Sequence, residues 1–229
     1  MTTFNQRIYN PILNSDIWDE DDSLRKDIKD SLLKIAQDFY ESTNFKAKIK
    51  DIVFLGSSAN YNWTPTSDID IHIVVDYDDL GVESEEALEK ILAAFKSKWK
   101  YEHDIKIVGH DVELYIQDSD AGYRSSGVYS LIQDDWVSKP VKEKVEIDKM
   151  YIAKIYKTLV DLYKKCKSDG DALGKWMDKV YEIRQSGLDR EGELSNENIV
   201  FKLLRAKGYI ESASDTKNDE YDKSVSIDK

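Results

Sequence analysis

Residues 51–76 read DIVFLGSSANYNWTPTSDIDIHIVVD, and no other stretch constrains the fold as tightly. Ile52 to Leu55 is a short apolar run, the pattern of a buried strand, and it ends in the turn-forming pair Gly56-Ser57. From Asp68 onward, charged or polar residues alternate with apolar ones, the two-residue period of a strand with one face toward a core. Two strands therefore flank a loop. Side chains two apart on a strand share a face, so Asp68 and Asp70 project together, about 7 Å apart along the chain. Two carboxylates in one place repel unless a cation lies between them.

The rest of the chain supplies partners for these strands. Leu24, Ile28, Leu32, Ile35 and Phe39 recur at spacings of three and four, which predicts an amphipathic helix over 24–44. Residues 83–100 begin with Ser84 as a cap and an acidic first turn, carry Leu88, Ile91, Leu92, Phe95 and Trp99 on one side, and end in lysines, which predicts a second helix. HDIKIVGHDVELYIQD then reads as strand, turn at Gly109, strand. On the second of these, Val112, Leu114 and Ile116 share one face, and Glu113, Tyr115 and Gln117 share the other. A Ser- and Gly-rich loop, DSDAGYRSSG, leads to a short strand, VYSLI, and Pro140 marks a boundary. Beyond it the period becomes helical. Val145, Ile152, Ile155, Leu159, Leu162 and Cys166 predict a helix over 141–167, a second is expected over 171–186, and Ser195 caps a last one that Gly208 closes. The reading is α+β: a mixed, mostly antiparallel sheet with flanking helices over 1–140, a helical subdomain over 141–211, and a polar, mobile tail over 212–229.

Composition narrows the function classes. A 41% hydrophobic fraction with 5 Trp, 14 Tyr and 6 Phe is that of a globular chain, and no apolar run approaches the ~18 residues a membrane span needs. No secretory pattern opens the sequence, so a cytoplasmic place is expected. The single cysteine, Cys166, excludes an intrachain disulfide and a thiolate zinc site. Net charge is −12, and the excess lies entirely in residues 1–140, with 15 Lys+Arg against 27 Asp+Glu. Such a field disfavours nonspecific grip on a long duplex and favours divalent cations.

Clustered carboxylates beside a glycine turn suit magnesium, which takes oxygen ligands and shares them with substrate phosphates. Glycine lets backbone approach phosphate oxygens, and the hydroxyls and amides of Ser57 can donate to them. Ser58 is either a second donor or a turn residue. On the strand VELYIQ and just before it, Glu113 and Asp111 share one face. His72 shares the face of Asp70 and reads equally as a hydrogen-bonded strand residue, while His103 and His110 lack metal-ligand spacing. Asp76, Asp78 and Asp79 read as a solvated turn. Tyr61 and Trp63 either shape a pocket or pack beneath the loop, and Arg124 and Ser125 are candidates to touch an acceptor. Lys154, Lys157, Lys202 and Arg205 read as the wet faces of the later helices.

The pattern LGSS followed by SDIDI, with ten residues between Ser57 and Asp68, resembles the signature of the DNA polymerase beta nucleotidyltransferase superfamily, and VELYIQ resembles its third acidic strand. The blocks SSGVYSLIQDDWVSKP and GELSNENIVFKLLRAKGYI resemble nucleotidyltransferase-like proteins of large bacteriophages. The superfamily resemblance implies a metal-dependent transferase that moves a nucleoside monophosphate from a nucleoside triphosphate to an acceptor hydroxyl and releases pyrophosphate. It implies that Gly56, Ser57 and Ser58 hold the triphosphate and that Asp68 and Asp70 bind two Mg2+ or Mn2+ ions. The third acid of that site falls on Glu113, with Asp111 in reserve; Glu113 would bind one ion and accept the hydroxyl proton, and Lys154, Lys157, Lys202 and Arg205 are candidates to grip the triphosphate, because helical domains in the superfamily close over the nucleotide. RNA, tRNA or a nucleotide is the implied acceptor. A protein side chain or a small molecule, as in toxin and resistance branches, is the alternative, and a degenerate nucleotide-binding module the non-enzymatic one.

Overall fold

The computed structural model describes residues 10–142 and 147–227. The chain divides into two compact units, Met1–Glu143 and Lys144–Lys229. Among the described residues, no helix is long and apolar enough to cross a membrane.

The first unit is built on a six-stranded sheet. Its strands are β1 (Asp51–Leu55), β2 (Ile69–Val75), β3 (Lys106–Ile107), β4 (His110–Asp118), β5 (Val128–Ser130) and β6 (Asp135–Ser138), in the order β3-β4-β2-β1-β5-β6. β1 runs antiparallel to β2 and β5, β3 antiparallel to β4, and β5 antiparallel to β6, whereas β2 and β4 are parallel. The sheet is thus mixed and mostly antiparallel. Two parallel neighbours need a crossover between them, and α2 (Glu85–Glu102) lies in it, capped by Ser84, whose hydroxyl accepts from the Ala87 amide. Helix α1 (Lys26–Ser42) buries Ile28, Leu32, Ala36 and Phe39.

Alternation along β2 decides what each face of the sheet does. Ile69, Ile71 and Ile73 are fully buried in one core with Phe54, Leu114, Ile116 and the apolar stripe of α1. Each such side chain contributes about 1.5–3 kcal/mol on burial, an upper estimate. Asp70 and His72 are thereby forced to the opposite face. Strand β6 has no counterpart in the sequence pattern. DWVS carries one aromatic, Trp136, which stacks on Trp18 at 4.7 Å and holds a strand that four residues alone do not announce.

The second unit contains α3 (Lys149–Cys166), α4 (Gly170–Glu191), α5 (Asn196–Ala206) and α6 (Tyr209–Val225). α3 starts at Lys149, capped by Asp148, not at 141, and Val145 lies outside the described residues. α4 continues five residues past 186. The polar segment from Ser212, expected as a mobile tail, is helical: Gly208 takes a left-handed conformation after α5 and the chain restarts as α6. Helix α6 is held by packing that its own sequence does not show. Ala213 is buried, Tyr209 meets Tyr163 at 4.9 Å, and the Glu220 carboxylate accepts from the Gly170 amide. A Cβ at Gly170 would come within 3.2 Å of the Lys217 Cα, so a glycine on α4 is what admits α6.

Candidate active site

The Gly-Ser turn is fixed by short polar contacts. Gly56 follows β1 with φ +80° and opens a 3-10 turn over Ser57–Ala59. Its Cα faces Asp70, because Leu55 is the register partner of Asp70, and a Cβ there would sit 2.1 Å from Asp70 Oδ2. Only glycine satisfies both the positive φ and that approach. The Gly56 amide donates to Ser125 Oγ at 3.2 Å, and Asn60 Nδ2 donates to the Gly56 carbonyl at 2.9 Å. Ser57 Oγ donates to Ser67 Oγ at 2.9 Å, which ties the turn to the residue preceding Asp68.

Ser58 is not placed to meet a phosphate. It is fully buried, its hydroxyl donates to the Asp68 carbonyl at 2.7 Å, and its own carbonyl accepts from Trp18 Nε1 at 2.8 Å. The turn role is the one this geometry gives it. Ser125 is likewise withdrawn from any acceptor, since its hydroxyl donates to the Gly127 carbonyl while accepting from Gly56 and Asn60. Tyr61 is buried and its carbonyl accepts from the Asn10 amide at 2.6 Å, and Trp63 Nε1 donates to the Ile12 carbonyl at 3.0 Å. Both anchor the preceding segment beneath the loop.

The Asp68 end of β2 is held from the other side by a histidine whose spacing in the sequence carries no signal. Buried His110 has Nδ1 at 2.6 Å from the Ser67 carbonyl and Nε2 at 3.1 Å from Asn14 Nδ2. A carbonyl only accepts, so Nδ1 carries the proton and Nε2 accepts from Asn14. The position of Asp68 thus depends on Asn14 and His110 as well as on Ser58.

Across the parallel pair, Asp70 is level with Glu113, His72 with Tyr115, and Val74 with Gln117. Neighbouring strands lie about 4.8 Å apart, so Asp70 and Glu113 emerge side by side on one face. Asp111 falls a step beyond, next to β3, where it pairs with Lys106. His72 Nδ1 bonds Gln117 Oε1, its ring lies 4.6 Å from that of Tyr115, and burial lowers its pKa. It forms part of the floor.

Glu113 has a partner that strand alternation does not suggest. Lys96 Nζ of α2 donates to Glu113 Oε2 at 2.8 Å, and the Tyr115 hydroxyl donates to the same oxygen at 2.6 Å. Lys100 stands 3.6 Å from Oε1. Burial of Glu113 pushes its pKa up, but the bonds from Lys96 and Tyr115 and the charge of both lysines outweigh this and hold it at about 2. Burial and the adjacent Glu113 carboxylate push the Tyr115 phenol far up. A carboxylate held ionised in this way is a poor base, so proton abstraction by Glu113 is disfavoured while Lys96 is in place. A signal for this pairing exists in the sequence: Lys96 lies four residues after Leu92 and three before Trp99, inside the apolar stripe of α2.

Asp68, Asp70 and Glu113 offer only carboxylate oxygens, a donor type that fits a hard divalent cation, and Gly56 leaves open the room that a side chain would fill against Asp70. Among the described residues, no three acids, histidines or thiols converge closely enough to hold a metal as they stand. Glu113 is turned to its lysine. Lys154 and Lys157 lie exposed on α3, and half-buried Lys202 and exposed Arg205 lie on α5; all four belong to the second unit.

Residues 30–121 match the family model described as Nucleotidyltransferase domain. The matched stretch runs from α1 through β4 and includes Gly56, Ser57, Asp68, Asp70, Lys96 and Glu113. Comparison with curated proteins found no match, and comparison with solved structures found none either.

Proposed function

With residues 30–121 a nucleotidyltransferase domain of the polymerase beta-like superfamily, we propose that the chain transfers a nucleoside monophosphate from a nucleoside triphosphate to an acceptor hydroxyl and releases pyrophosphate. The observation that carries this reading is the register of β1, β2 and β4, which puts Gly56 against one side of Asp70 and Glu113 on the other. Asp68, Asp70 and Glu113 would hold Mg2+ or Mn2+. Bound there, such ions supply Lewis-acid stabilisation of charge on the attacking and leaving oxygens.

The protein's own groups do the rest. The Ser57 amide, which has no carbonyl within its 3-10 turn, donates to the phosphate tail, and the Ser57 hydroxyl joins it by giving up its bond to Ser67 Oγ. Ser58, His110 and Asn14 keep Asp68 at the strand end, and the Tyr115 hydroxyl keeps Glu113 oriented. The oxygen of the acceptor hydroxyl attacks the α-phosphorus in line as the bond to pyrophosphate breaks, its proton passes to water, and positioning supplies much of the rate. The acidic first unit favours a small acceptor or one gripped locally, such as a nucleotide, an RNA end or a protein side chain, over a long duplex.

The test is incubation of purified protein with each α-labelled nucleoside triphosphate and Mg2+ or Mn2+, with and without total RNA, beside the Asp68→Ala/Asp70→Ala variant. Label moved by the wild type alone supports the reading, and its destination in RNA, protein or small molecule identifies the acceptor. Equal label with wild type and variant, or none with either, sinks it.

A further inference from the structure

We propose that Lys96 is a resident cation of the carboxylate face, and that a divalent ion entering the site has to displace its ammonium from Glu113. The inference rests on Glu113 being a ligand of that ion, as proposed above.

The argument starts from where a lysine belongs on a helix. The lysines of α2 at 90, 98 and 100 leave 64–74% of their side chains in water, whereas Lys96 leaves 29%. Its neighbours on that stripe, Leu92, Phe95 and Trp99, pack against the core. Drawing an ammonium out of water is unfavourable unless a charge or a ring face offsets it. Both are present: Glu113 Oε2 at 2.8 Å, and the centroid of the Tyr115 ring at 3.5 Å.

The same contacts occupy what a metal ion would need. Oε2 receives Lys96 and the Tyr115 hydroxyl, and Oε1 faces Lys100 at 3.6 Å. An ion held by Glu113 would need a lone pair of the carboxylate that Lys96 already engages. Two cations sharing one carboxylate in a half-buried site repel, and the lysine yields more easily. It is a point charge on a flexible four-carbon stem, not a two-pronged fork. The exchange is one ligand for another: the Nζ–H···Oε2 bond breaks, a metal–oxygen bond forms, and the ammonium keeps its proton and moves toward water or an incoming phosphate.

The experiment measures Mn2+ binding to the full chain without nucleotide, by the loss of the free-ion electron paramagnetic resonance signal, with folding checked by circular dichroism. Wild type, Lys96→Met, Lys96→Gln, Lys100→Met and Asp70→Asn are compared. Displacement predicts that both Lys96 variants bind Mn2+ about tenfold or more tightly than wild type, since a charge-assisted bond no longer competes. Lys100→Met, whose lysine is 70% exposed, changes affinity less than about threefold. Lys96→Gln keeps a donor without the charge and covers the case in which Lys96→Met does not fold. Unchanged or weaker binding in the folded Lys96 variants overturns the inference and leaves the site reading standing, because it makes Lys96 an orienting group for Glu113. Wild-type binding that is absent, or indifferent to Asp70→Asn, overturns both.

Discussion

Two glutamates drawn back from water, one in each unit, are built from the same parts and differ in use. Glu113 on β4 has a lysine, a tyrosine hydroxyl and 21% of its side chain exposed. Glu197, in the first turn of α5, has an arginine, a tyrosine hydroxyl and 5% exposed: Arg190 Nη2 reaches both of its oxygens at 2.9 Å, and Tyr151 donates at 3.0 Å. Burial pushes the Glu197 pKa up, but the bonds from Arg190, its own backbone amide and Tyr151 and the charge of Arg190 together outweigh this and bring it below the ordinary range. The helix end favours its charge. Behind it stands Gly187 of α4, where a Cβ would come within 2.8 Å of the Glu197 Cβ. One carboxylate is closed in by a planar guanidinium and a glycine-backed helix. The other is held by ammonium groups on flexible stems, Lys96 in contact and Lys100 at 3.6 Å, and lies level with Asp70. What separates a structural knot from a site is whether the counter-cation can leave and whether a second acid waits beside it.

That contrast breaks most visibly in activity. Glu113→Gln and Asp70→Ala are each expected to lower nucleotidyl transfer by at least about a hundredfold, because even outer partners of metal ligands are worth 10–100-fold. Circular dichroism should show both variants folded, and transfer at full rate by either would remove it from the site.

Acid comes next. The Glu113 pKa is depressed to about 2 from 4.5, so its contribution to stability is complete above about pH 4.5 and is lost as pH falls toward 2. The amount is at most about 3 kcal/mol. Urea midpoints taken from about pH 5 to about pH 2.5 should fall less steeply in Glu113→Gln than in wild type; parallel curves would mean that the Lys96 pair contributes nothing.

Glu197→Ala should cost about 2 kcal/mol, the loss of a buried charged hydrogen-bonding group, read as faster amide exchange in α5. Tyr115→Phe and Tyr151→Phe each remove one hydroxyl donor, at about 1 kcal/mol. The comparison sharpens if only Tyr115→Phe alters Mn2+ affinity.

The reading of residues 51–76 carries over to three dimensions because its signals are local. A four-residue apolar run, a glycine and a two-residue alternation each specify backbone directly; the face of Asp70 follows from strand pleat, whereas Asp68 precedes the first residue of β2 and is placed by Ser58 and His110. Glu113 is reachable by the same alternation, but its place level with Asp70 comes from a parallel pairing that the sequence does not state. Lys96 is visible in the period of α2, yet a lysine on a helix reads as its wet face when the partner lies on another element. Ser58 and Ser125 look like phosphate or acceptor donors because a serine in a turn does not reveal which way its hydroxyl is spent. Helix α6 is hidden for a similar reason, since what holds it is a glycine on α4.

The parallel pairing of β2 with β4 also has a kinetic meaning. His72 and Gln117, hydrogen-bonded across that pairing, lie 45 residues apart in sequence, and the loop between the two strands contains all of α2. Asp70 and Glu113 are therefore absent as a pair from every partly folded state in which this crossover is still open. Closing so long a loop costs entropy before its contacts form, which makes such pairings slow steps. An ion that needed both strands would bind only after closure, and would then draw the chain toward that pairing by mass action and pass over the precursors, so that cation uptake would report on the closed crossover.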